Sequence, residues 1–163
     1  MAGMYPTMVA DPNDPNRRHT AASGDGWPPA LRNGYRLALV VAVLMLVSGM
    51  MALAGGFPDG ADEAFREPFM RNMRVAAGGN IVLGVAIASC AAFLERGSIT
   101  ARRWLAGFAA AAIFLNIAAF ILQVTSWASF IIAAALAITM LLVFRPAANA
   151  YMDRKNSLWN GIE

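Results

Sequence analysis

Between Trp104 and Phe144 the chain carries no charged residue. A transmembrane helix needs about 20 apolar residues, at 1.5 Å each, to cross roughly 30 Å of hydrocarbon. The run is about twice that length and has to fold back on itself. Its only polar interruption is Gln123-Val124-Thr125-Ser126-Trp127, which predicts a tight helical hairpin with spans at 104–124 and 127–144. Two more apolar runs, 37–57 and 75–94, are each about one span long. None alternates apolar and polar side chains as the strands of a membrane barrel must. With 58% hydrophobic and 14% charged residues, the chain is also too apolar for an ordinary soluble domain. The expectation is an all-α integral membrane protein with four transmembrane helices within residues 35–145, an extended irregular tail over 1–34 and a carboxyl-terminal tail over 146–163.

Residues 1–34 are rich in Pro, Asp, Asn and Gly, with Asp11-Pro12-Asn13 followed by Asp14-Pro15-Asn16. Such a segment has too little apolar surface to offset the entropy lost on ordering. It also lacks the hydrophobic core of a secretory signal, so the first apolar run has to direct insertion. That run ends in Ala52-Leu53-Ala54, which mimics a signal-peptidase site. It is longer than a signal core and follows a long polar tail, so it is read as an uncleaved span.

Positive charge sets the orientation. Arg17, Arg18, Arg32 and Arg36 precede the first span, Arg96, Arg102 and Arg103 separate the second and third, and Arg145, Arg154 and Lys155 follow the fourth. The opposite side has only Arg66, Arg71 and Arg74, diluted by Asp59, Asp62, Glu63 and Glu67. The positive-inside rule then makes both termini cytoplasmic, in a bacterial inner membrane. Trp104 and Trp127 fall at opposite ends of the third span, where amphipathic rings prefer the interface.

Within the four spans there is no Asp, Glu, Lys, Arg or His, the groups that usually mark proton relays, coupled-ion sites and voltage sensors. His19, the sole histidine, lies in the tail and cannot form a multi-histidine metal site or a bis-histidine haem within one subunit. Cys90 is the sole cysteine; it reads as a small buried hydrophobe with no disulfide and no thiolate cluster to join. Met70 and Met73, with Met50 and Met51 nearby, carry no accompanying Cys or His and read as apolar contacts rather than a copper(I) site. Gly78-Gly79 does not follow a strand and makes a poor phosphate loop. The scattered arginines form no stripe interleaved with aromatics, which argues against nucleic acid. No paired carboxylates and no nucleophile beside a base point to catalysis, and no cofactor or small-molecule substrate is implied.

The polar residues that remain suggest assembly. Ser48, Asn80 and Asn116 sit at similar depths, so the two asparagines are expected to act as interhelical glue. Small residues recur at four-residue spacing: Ser48, Ala52 and Gly56; Gly84, Ala88 and Ala92; Gly107 and Ala111; Ala133 and Ala137. That spacing permits close backbone approach. Phe65, Phe69, Met70 and Met73 among the charges of 58–74 predict a short amphipathic surface helix. Pro146 is expected to stop the fourth helix. Beyond it Tyr151 and Trp159 are read as interfacial anchors or partner contacts, and Tyr5, Arg17, Arg18 and Trp27 as partner contacts of the amino-terminal tail.

These features suit a non-catalytic accessory subunit of a bacterial membrane complex, with the respiratory electron-transfer chain as the first complex to consider. Its expected partners are other integral membrane subunits and lipids. A homo-oligomeric small transporter or channel, with a pathway built from Asn80, Asn116 and Gln123, is the alternative; a membrane assembly factor is the third.

Overall fold

A computed structural model describes residues 26–60 and 62–160, with side chains as far as Lys155. Five α-helices follow one another, and the described residues include no strand. They are α1 (Pro29–Ala54), α2 (Arg66–Ala92), α3 (Ile99–Ile121), α4 (Trp127–Val143) and α5 (Pro146–Asn160), with a single 3-10 turn, Glu63–Phe65, ahead of α2. α1, α2 with its leading turn, and α3 are each long and apolar enough to cross a membrane. α4 has 17 residues, at the short limit for a span, and qualifies jointly with α5, from which it is bent by 58°. The protein is therefore a multi-pass membrane protein with three to four spanning helices.

Each helix boundary has a local cause. α1 begins at Pro29, whose missing N–H costs nothing in a first turn, and ends where Gly55-Gly56 removes helix propensity. Ser98 and Ser126 cap α3 and α4, accepting hydrogen bonds from the amides of Ala101 and Ala128 at 3.2 and 3.4 Å. α3 closes in a Schellman motif: Val124 N–H donates to the Ala119 carbonyl and Gln123 N–H to that of Phe120.

Three boundaries differ from the sequence reading. Residues 29–34 belong to α1 rather than to an extended tail, because Leu31 and Gly34 are buried in the bundle. No separate surface helix forms in 58–74; the chain enters α2 at Arg66 and runs unbroken to Ala92, since nothing after Pro68 in the first turn interrupts it. Pro146 does not merely stop α4: it occupies the first position of α5, so most of the carboxyl-terminal tail is helical.

α1 packs against α2, α2 against α3, α3 against α4 and α4 against α1, closing a four-membered ring of consecutive helices. The α1–α2 seam depends on two glycines. A Cβ on Gly49 would lie 2.7 Å from the Ala77 carbonyl oxygen, and one on Gly84 would lie 3.1 Å from that of Ala42. The backbones approach closely enough for dispersion to act along the seam, the main attraction left once lipid removes the hydrophobic drive between helices. The expected register of small residues is only partly used. Gly84 and Ala133 are buried, but Gly56, Ala92, Gly107, Ala111 and Ala137 face outward, because closing the ring selects which side of each helix turns inward.

Two apolar clusters fill the interior. The larger includes Leu31, Val41, Met45, Ile87, Leu94, Leu105, Leu136 and Val143, together with Ala148 and Met152 of α5. The smaller gathers Met73, Ala76, Ala119 and Val124 at the opposite end.

Candidate functional site

The polar centre of the bundle lies between these clusters. Asn80 of α2 and Asn116 of α3 are 2% and 0% exposed and exchange hydrogen bonds. Asn116 Nδ2 donates to Asn80 Oδ1 at 2.8 Å, and Asn80 Nδ2 donates to Asn116 Oδ1 at 3.4 Å. Asn116 Nδ2 also donates to the Ala112 carbonyl, one turn back, at 2.9 Å. The two amides meet where α2 and α3 pack side by side on either side of the short 93–98 turn, at similar depth from the outer ends of their apolar runs. Spent on each other and walled in by the chain's own helices, they present no open face to a ligand.

The other buried hydroxyls divide. Thr139 donates to the Ala135 carbonyl at 2.8 Å, the usual way a helix absorbs a threonine. Ser129 Oγ and Thr125 Oγ1 are buried without a hydrogen-bond partner among the described residues. Ser48 does not join the asparagines. It turns toward α4 and lines a cleft of about 470 Å³ with Leu44, Met51, Thr125 and Ile131. α1 and α4 are in tight contact at their far ends, where Gly34 meets Leu142 and Val143, and the cleft lies at the opposite end of that seam.

α5 closes the end of the bundle where α1 begins. Tyr151 OH donates to the Glu95 carbonyl at 2.9 Å, and an Arg102 guanidinium nitrogen donates to Asn149 Oδ1 at 2.6 Å. The same guanidinium stacks 4.8 Å from the Phe144 ring centre. Gly97, at φ +75°, leaves space for Lys155, whose Cβ would be 2.6 Å from a Cβ at that position. Burial, with the Glu95 carboxylate second, pushes the Tyr151 phenol above its ordinary value. Tyr151 is 6% exposed, so its ring is used within the chain rather than held out to a partner. Trp27 leans on Tyr35 with ring centres 5.2 Å apart and keeps a buried indole N–H without a partner among the described residues. Tyr5, Arg17 and Arg18 lie outside the described residues, as does the side chain of Trp159.

The α5 cap is the feature that the sequence reading missed. Its signal was present: Ala148, Tyr151, Met152 and Lys155 have the i, i+3, i+4, i+7 spacing of one helical face, and the first three are buried.

Charge is unequal between the ends. At the α5 end stand Arg32, Arg36, Arg96, Arg102, Arg103, Arg145, Arg154 and Lys155 against Glu95 and Asp153; at the other, Arg66, Arg71 and Arg74 face Asp59, Asp62, Glu63 and Glu67. Among the described residues no three His, Cys, Asp or Glu converge as metal ligands would. Comparisons with protein-family models, with curated proteins and with solved structures find no match to the chain.

Proposed function

We propose that this protein is a non-catalytic accessory subunit of a multi-subunit membrane complex, inserted four times in a bacterial inner membrane with both termini in the cytoplasm. The observation that carries this reading is the Asn80–Asn116 pair. The two buried amides bond to each other inside one protomer, while the helices around them carry no Asp, Glu, Lys, Arg or His in their apolar stretches. A pathway between protomers would need those amides on the outside of the ring. Gln123, the third residue of that alternative, is exposed in the α3–α4 turn, remote from the pair along α3.

One face of α3 supports packing against other subunits. Among the described residues, Gly107 has nothing within 4 Å of where a Cβ would stand. With exposed Ala111 and Phe114 it leaves on α3 an outward face that a partner helix can approach closely. The excess of cations at the α5 end supports the cytoplasmic assignment of that end. The respiratory electron-transfer chain is the first complex to test.

Affinity purification of the full chain in mild detergent, followed by mass spectrometry, tests the reading: a subunit brings down partner membrane proteins in fixed stoichiometry. Recovery of the chain alone or only as a homo-oligomer, together with substrate flux in liposomes that Asn80→Leu abolishes in the folded protein, would replace it with the transporter reading. Partners present only before the complex is complete would indicate an assembly factor.

A further inference from the structure

At the end of the bundle opposite α5, the α1–α2 connection and the α3–α4 turn enclose a pocket of about 480 Å³, within the ~300–1,000 Å³ range of small-molecule sites. Phe57, Phe65 and Phe69 supply three rings to its wall, and Asp62, Asn72 and Gln123 supply the polar groups. Phe57 and Phe69 meet edge to face with centres 5.6 Å apart, which fixes the orientation of two of the rings. Phe65 remains 66% exposed.

The charges around this pocket are left unbalanced in a particular way. Arg66 turns to Glu63, 3.2 Å away, and places its guanidinium 5.9 Å from the Phe57 ring centre. One of the rings is therefore already used by a cation. Asp62 accepts the Ala64 amide at 3.0 Å and, among the described residues, forms no ion pair. A carboxylate without a counter-charge beside several aromatic rings is the chemistry that holds an alkylated ammonium: the rings offer the negative faces of their quadrupoles and the carboxylate offers charge. Such a cation cannot be fully hydrated and gains from both.

A second observation lies in the backbone. Gln123 occupies the left-handed position of the Schellman motif at φ +55°, the sole non-glycine residue with positive φ among the described residues. Glycine is the residue that takes this position without strain. A glutamine there retains a side chain at the cost of backbone strain, and that residue lines the pocket.

We propose that this pocket binds an organic cation bearing a methylated ammonium group, with the Asp62 carboxylate as counter-ion, the Phe65 and Phe69 rings as its aromatic wall, and the Gln123 and Asn72 amides for any polar tail. Free choline-type cations and the headgroup of a choline phospholipid share this chemistry.

The test uses the full chain in nanodiscs of phosphatidylglycerol, titrated with choline and followed by saturation-transfer NMR. Saturable binding is expected, weakened at least tenfold by Asp62→Asn, which keeps the capping acceptor while removing the charge, and severalfold by Phe65→Leu at an exposed position. Gln123→Gly is expected to weaken choline binding while raising the melting temperature, a divergence that a purely structural glutamine would not produce. Repeating the titration in phosphatidylcholine discs separates the sources: at least tenfold weaker choline binding there identifies the lipid headgroup as the natural occupant, and unchanged binding identifies a free cation. The proposal is overturned if binding in phosphatidylglycerol discs is not saturable or if Asp62→Asn leaves it unchanged. Equal binding of choline's neutral isostere, with tert-butyl in place of trimethylammonium, overturns it as well.

Discussion

Replacing the buried amides one at a time tests whether they hold α2 and α3 together. Asn116 takes part in three hydrogen bonds, two of them with Asn80 and one with the Ala112 carbonyl. In Asn80→Leu, Asn116 keeps its bond to Ala112 but its Oδ1 is left without a donor. In Asn116→Leu, Asn80 loses both bonds and stays buried. An unsatisfied buried polar group costs about 1–3 kcal/mol, whereas interhelical hydrogen bonds in membranes contribute roughly 0.6–2 kcal/mol. Each single variant should therefore lose about 1–3 kcal/mol, with Asn116→Leu the worse. The double variant removes the stranded partner along with the bonds, so it should be less destabilised than the sum of the singles by about 0.6–2 kcal/mol. Unfolding of the purified chain by a denaturing detergent in mixed micelles, followed by helix circular dichroism across all four proteins, yields this coupling energy. Additive losses, or a double variant worse than the sum, would show that the amides do not act as a pair.

At the α1–α2 seam, Gly49→Ala forces a Cβ to within 2.7 Å of the Ala77 carbonyl oxygen, an overpacking expected to cost about 1–3 kcal/mol, while Gly107→Ala enters open space and should gain up to about 1 kcal/mol from helix propensity; the same unfolding assay distinguishes them. Tyr151→Phe removes the bond to the Glu95 carbonyl and should lower stability by about 0.5–1.5 kcal/mol. Because the folded-state phenol is raised above its ordinary value, the wild-type advantage is complete below about pH 10 and is lost as pH climbs through the raised value; a wild-type stability curve that parallels that of Tyr151→Phe above pH 10 would contradict this. Reporter fusions at Glu95 and Lys155 should read cytoplasmic and one at Asp62 external, and a cytoplasmic signal at Asp62 would invert the orientation drawn from the charge asymmetry.

Much of the architecture was legible because bilayer physics is demanding. A charge-free run about twice the length of one span has few ways to fold, and Gln123 to Trp127 was the only place to turn it; the structure ends α3 at Ile121 and starts α4 at Trp127. Helix type, approximate spans and the segregation of cations follow from composition along the chain. The polar pair was half legible: counting inward from the outer ends of the apolar runs placed Asn80 and Asn116 at similar depth, but depth does not reveal the rotation of a helix about its axis. Rotation is where the sequence stops. Ser48 shares that depth yet faces the α1–α4 cleft, and Gly107 has the same spacing as the buried glycines yet looks outward. In lipid both faces of a helix are apolar, so no hydrophobic stripe declares the inside, and only the closure of four helices into a ring selects it. The same holds for α5, whose residues met their partners, Glu95, Gly97 and Arg102, only after the α2–α3 turn had been brought beneath it. The pocket at the opposite end likewise draws Phe57, Asp62 and Gln123 from two connections about sixty residues apart, a juxtaposition that exists only once the helices between them have folded back.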